Sequence, residues 1–134
     1  MFLLDTNIWL ELLLDQDRAG EVRRLLEAEE GRQFALTDFS LYSLGIILTR
    51  LKKDSVFSDF VSDALEESGI GLIRLDTEAL KQIPVVRRKF RLDFDDAYQY
   101  LAAEKYSLTL VSFDSDFDHT ERGRKTPVEV RGPQ

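Results

Sequence analysis

The chain contains no cysteine. Disulfide frameworks, thiolate nucleophiles and sulfur-ligated metal sites are therefore excluded together. Histidine is nearly as scarce, and His119 stands alone. Without a second histidine or any cysteine, triad and zinc readings are weak, and His119 reads as a surface loop residue. No apolar run approaches the roughly 20 residues that a membrane span requires. Residues 1–14 could pass for a signal peptide, but they lack a basic flank and carry Asp5 and Glu11. A cytoplasmic protein without membrane association is the expectation. Repeats, low-complexity tracts and internal linkers are also lacking, so residues 1–134 are read as one domain.

What is present is ordinary for a folded protein: 43% apolar and 10% aromatic residues, enough for a core without staples. Net charge is 18 − 25 = −7, which does not favour broad nucleic-acid affinity. Several carboxylates sharing one crevice would account for part of that excess, and divalent cations would offset it.

Strand and helix patterns alternate. Short apolar runs predict strands at Phe2–Leu4, Phe34–Leu36, Ile70–Leu75 and Leu108–Ser112, with a short fifth at Val128–Val130. Helical spacing predicts helices over 7–14, over 18–29 with Gly31 as the stop, through Leu41, Leu44, Leu48 and Leu51, and over 55–67. A further helix starts at Asp76-Thr77 and breaks near Pro84, whose ring crowds the preceding turn. Asp95 or Asp96 is the expected cap of the next, with Ala97, Tyr98, Leu101 and Ala102 inward. The pattern predicts an α/β fold with a central parallel sheet of four to five strands flanked by helices in three layers. Trp9 with Leu10, Leu13 and Leu14 is expected in the core, Gly45 to permit close helix packing, and 131–134 to fray.

Acids stand at the ends of these elements. Asp5 is the first polar residue after the first strand, Asp96 opens a helix, and Asp114 and Asp116 follow the fourth strand. Taken singly, each suits a cap or a turn. In parallel α/β folds, however, the carboxyl ends of strands converge on one crevice. Two carboxylates about 4 Å apart repel by about 4 kcal/mol at an effective dielectric of about 20, so a gathered set calls for cations or raised pKa values. Hard oxygen ligands suit Mg²⁺ or Mn²⁺, and a pair of such ions can drive phosphodiester cleavage without histidine.

At these residues the chain resembles the PIN-domain family, which includes VapC-type toxin ribonucleases. The resemblance rests on Leu3-Leu4-Asp5-Thr6-Asn7-Ile8, Phe94-Asp95-Asp96-Ala97 and Leu110-Val111-Ser112-Phe113-Asp114-Ser115-Asp116-Phe117. It implies a Rossmann-like parallel sheet, RNA as substrate, Mg²⁺ or Mn²⁺ as cofactor, frequent homodimers and, for a toxin, a small antitoxin partner. It assigns metal-ligand and catalytic roles to Asp5, Asp96, Asp114 and Asp116, with Ser112 as a supporting hydroxyl. The chain departs from the family at one point: Ser43 stands where a glutamate is usual, in Thr37-Asp38-Phe39-Ser40-Leu41-Tyr42-Ser43-Leu44. A serine hydroxyl is neutral and shorter, and Asp38 is the acid that could substitute from an earlier position.

Two basic runs are candidates for RNA-phosphate contacts: Arg87, Arg88 and Lys89 with Arg91, and Arg122, Arg124 and Lys125. For the first, a solvated helix face is the commoner role of such a run. The leading expectation is a metal-dependent endoribonuclease, and the alternative is a catalytically impaired RNA- or protein-binding module. A receiver-like signalling domain shares the size and sheet. It needs paired acids after the first strand and a lysine after the fifth, and this chain supplies neither.

Overall fold

The structure is a computed structural model, described here for residues 1–131. In chain order the elements are β1 (Phe2–Leu4), α1 (Thr6–Leu13), α2 (Ala19–Ala28), β2 (Phe34–Thr37), α3 (Asp38–Arg50), α4 (Asp54–Phe60), β3 (Gly71–Ile73), α5 (Thr77–Lys81), α6 (Ile83–Phe90), α7 (Phe94–Lys105), β4 (Thr109–Val111) and α8 (Pro127–Arg131). The four strands are all parallel, in the order β3-β2-β1-β4. The chain builds outward from β1 on one side and then crosses to its other flank. The direction of winding therefore reverses between β1 and β4, and an open α/β sheet has its crevice at such a point.

Both faces of the sheet are covered. One layer packs α6 and α7 on Leu3, Ala35 and Leu110, with Phe90, Tyr100 and Phe117 completing it. The other sets α1, α2 and α3 on Leu4, Leu36 and Val111, with Ile8, Val22, Leu25 and Leu44 between. Strands buried on both faces read as continuous apolar runs rather than alternations, which is why Phe2–Leu4 and Phe34–Leu36 were legible. Trp9 is fully in this core, and Leu10 and Leu13 pack against it half-buried. Gly45 lies against Phe57, whose ring a Cβ would approach at 3.3 Å, so α3 and α4 do pack closely there.

Several expectations need correction. The predicted fifth strand at Val128–Val130 is helical, as part of α8. Thr126 and Glu129 form a capping box, Glu129 N donating to Thr126 Oγ1 and Thr126 N to Glu129 Oε1 at 3.2 and 3.0 Å, and Pro127 takes the first helical position, which suits its fixed φ. Just before α8, Lys125 makes an isolated bridge to β4, through Lys125 N to Leu110 O and Ser112 N to Lys125 O. Gly31 does not stop α2; the helix ends at Ala28 and Gly31 opens a 3₁₀ turn. A Cβ there would fall 1.9 Å from the Ser68 carbonyl oxygen. The helix over 55–67 is two pieces, α4 running straight into a π-helical segment, Val61–Glu67. The third strand is shorter than Ile70–Leu75. Near Pro84 the break falls at Gln82, leaving the proline in the first turn of α6. Arg131 closes α8, and residues 132–134 lie outside the described residues.

Candidate metal centre

Each acid is brought to the β1–β4 crevice by a different local device. Asp5 leaves β1 and is the N-cap of α1, its Oδ1 accepting from Thr6 N at 2.8 Å. Asp114 leaves β4 and caps the 3₁₀ turn Ser115–His119, accepting from Asp116 N at 2.8 Å. The capping expectation for Asp95 or Asp96 is corrected: Asp93 occupies the cap position, and both acids fall in the first turn of α7. Acids there are favoured by the helix dipole, yet the Asp96 carboxyl is left free of capping duty.

Asp96, Asp114 and Asp116 each offer a carboxylate oxygen within 4.8 Å of the other two. They range from buried (Asp96) through half-buried (Asp114) to exposed (Asp116), so the cluster opens outward to solvent. Three oxygen donors from two elements suit a hard divalent cation. Asp5 lies beneath the cluster and is almost wholly buried. It couples to Asp114 and Asp96 by charge and to the Asp114 turn by one hydroxyl. Ser112 Oγ donates to Asp5 Oδ2 at 2.7 Å and accepts from Asp114 N at 3.0 Å and Asn7 Nδ2 at 3.2 Å.

Burial raises the Asp5 carboxyl above the ordinary range, against hydrogen bonds from Ser112, Gln99 and Thr6 that favour its anion. Asp96 is pushed up to about 8, first by burial and then by the charges of Asp95, Asp114 and Asp5.

The other predicted residues are placed as follows. Asp38 is not part of the cluster; its Oδ1 accepts from Tyr98 OH at 2.6 Å and from Phe39 N at 2.8 Å. Ser43 is half-buried on α3 and brings no charge. Arg87, Arg88 and Lys89 are exposed near the end of α6. That end is tied to the Asp114–His119 turn by the Lys89–Glu121 ion pair at 2.8 Å and a hydrogen bond between the His119 ring and Phe90 O. His119 is otherwise exposed, as expected. Of the second basic run, Arg122 donates to the Ala103 and Leu108 carbonyls, and Arg124 grips Asp118 with two nitrogens and Ser112 O with a third. Arg124 thus braces the turn that carries Asp114 and Asp116.

Sequence reasoning missed a buried polar network. Thr37, Ser40 and Gln99 are all buried, and Gln99 Nε2 donates to Asp5 Oδ1 and Ser40 Oγ, each at 3.0 Å. The available signal was an amide one turn after Asp96 on an otherwise apolar helix face, since a buried amide must find partners.

The fold and site together define a parallel α/β domain with a carboxylate cluster at the switch point of its sheet. A family model for the PIN domain matches residues 2–123. The chain belongs to the PIN-domain family. The fold is also similar to a toxin–antitoxin complex from Klebsiella pneumoniae, with a TM-score of 0.75 at 20% identity over 96% of this chain and 99% of that one. It is similar to VapC20 of Mycobacterium tuberculosis, described as a Sarcin-Ricin loop cleaving toxin, with a TM-score of 0.74 at 16% identity over 91% and 96%. FitAcB from Neisseria gonorrhoeae gives 0.73 at 22% identity over 95% and 98%. No curated protein matches the sequence. Among the described residues, no helix is long and apolar enough to cross a membrane.

Proposed function

We propose that the chain is a divalent-metal-dependent endoribonuclease, the toxin of a toxin–antitoxin pair, with Asp5, Asp96, Asp114 and Asp116 as its catalytic carboxylates. The observation that carries this reading is the approach of Asp96, Asp114 and Asp116 within 4.8 Å above a buried Asp5. PIN domains in general use divalent metals, and Mg²⁺ or Mn²⁺ fits this all-oxygen donor set. When bound, the ion supplies Lewis-acid polarisation and charge neutralisation at the phosphodiester.

The chain's own residues do the rest. Asp96, Asp114 and Asp116 hold the ion, and Ser112 fixes the Asp5 carboxylate beneath them. Arg124 keeps the Asp114–Asp116 turn in place. Arg87, Arg88 and Lys89 supply phosphate contacts that position the RNA without reading its sequence. The antitoxin is a small basic protein suited to a surface of net charge −7. A homodimer would cover Tyr42 and Ile46, which stand exposed on one face of α3.

The test is cleavage of a labelled RNA by the purified protein. Cleavage should require Mg²⁺ or Mn²⁺, stop with EDTA, and vanish in Asp5→Asn and Asp96→Asn. Activity that survives all three overturns the proposal. Ser43 favours one rival reading, a PIN domain that binds RNA or protein without turnover. It predicts no cleavage by the wild type and recovery in Ser43→Glu.

A further inference from the structure

Gln99 is 1% exposed and stands one turn beyond Asp96 on α7. Its orientation is fixed by exclusion. Thr37 Oγ1 accepts from Ser40 N at 3.0 Å, so its own proton is free and goes to Gln99 Oε1 at 2.7 Å. The amino group must then face the other way, where it meets Asp5 Oδ1 and Ser40 Oγ. Ser40 Oγ passes the network on to Thr6 Oγ1 at 2.8 Å.

Lone pairs on Asp5 can now be counted. Oδ1 accepts from both Thr6 N and Gln99 Nε2, and Oδ2 accepts from Ser112 Oγ alone. A carboxylate oxygen offers two in-plane acceptor sites. Oδ1 is therefore full, and Oδ2 has one site left. A carboxylate that bridges two cations needs either a free site on each oxygen or two free sites on one, and Asp5 has neither.

We propose that Gln99 is a positioning residue that restricts Asp5 to one coordinating lone pair, so that the centre takes a single divalent cation. Ser40, which joins the Gln99 network, lies one turn before Ser43 on α3. The inference rests on the metal-dependent reading above and goes beyond it in fixing the number of ions and the residue that sets it.

The experiment counts Mn²⁺ by isothermal titration. The wild type should bind one ion. Gln99→Met keeps the side chain's length without its donors and should still bind one, about tenfold more weakly, the usual loss when a group orienting a ligand is removed. Ser43→Glu alone should remain at one ion, whereas Ser43→Glu with Gln99→Met should take two. Where Gln99→Met does not fold, Gln99→Asn, whose amide falls short of Asp5, carries the same expectations. Two ions in the wild type or in Ser43→Glu alone overturn the role of Gln99. So does a double variant that stays at one, or a single variant with unchanged affinity. Absence of any Mn²⁺ binding overturns the metal-dependent reading beneath it as well.

Discussion

The acidic crevice and the apolar cavity beside Trp9 show opposite kinds of imperfection. At the crevice the polar groups around Asp5 are hydrogen-bonded, and the unfavourable term is the mutual repulsion of gathered carboxylates. The cavity, about 380 Å³, is walled mainly by apolar side chains, Trp9, Leu13, Leu26, Phe34, Phe60 and Ile70 among them, with Asp59 and Asp63 also in its lining. The unfavourable terms there are open volume and the Trp9 indole N–H, which is buried without a hydrogen-bond partner among the described residues. An ion can relieve the first kind of cost; only packing or a polar contact can relieve the second. The two regions should therefore respond to different perturbations.

The largest contrast is between Asp96→Asn and Trp9→Ala. Loss of an ion worth several kcal/mol at the transition state should reduce RNA cleavage by about 10³-fold or more, while the apo variant melts no lower than the wild type. Trp9→Ala should do the reverse, losing about 3–5 kcal/mol of stability with cleavage per folded molecule unchanged. Parallel denaturant melts and single-turnover assays separate these outcomes. If Asp96→Asn unfolds the chain, or Trp9→Ala abolishes cleavage in the folded fraction, the division between the regions fails.

Next in size is the response to pH. Asp96 titrates near 8 in the folded chain against 3.8 ordinarily, and Asp5 is shifted the same way. Between those values the native state binds more protons than the unfolded chain, so stability falls as pH rises. The apo protein should melt lower at about pH 8 than at about pH 5. Mg²⁺ at a hundredfold excess over its dissociation constant should restore about 2.7 kcal/mol at the higher pH and much less at the lower, where protons compete for the ligands. A melting temperature that rises with pH in EDTA would contradict the raised pKa.

The smallest effect belongs to the cavity rim. Gly31→Ala drives a methyl group into the Ser68 carbonyl and should cost about 1–3 kcal/mol without altering Mn²⁺ affinity.

What the sequence revealed follows the same division. β1, β2 and the inward face of α7 were legible because double burial and helical spacing leave plain apolar patterns. Asp5 and Asp114 stood out because they follow strands of a parallel sheet, whereas Asp96 follows a helix and its approach to Asp114 and Asp116 is a tertiary contact that strand order alone does not give. Val128–Val130 misled because three residues cannot separate period 2 from the start of a helix, and the stronger signal was the Thr126–Glu129 capping box. Gln99 was hidden because its partners come from three other places, Thr37 from β2, Ser40 from α3 and Asp5 from the cap of α1. Asp38 was a fair candidate by chain distance, but Tyr98 OH takes its carboxylate, a contact spanning 60 residues.

The most direct measurement is anomalous diffraction from a crystal soaked in Mn²⁺ at about pH 8, where Asp96 gives up its proton readily. One anomalous peak among the carboxylates of Asp96, Asp114 and Asp116, absent from Asp96→Asn crystals, is the expected result. An empty crevice at saturating Mn²⁺, or a peak elsewhere with none there, would contradict it.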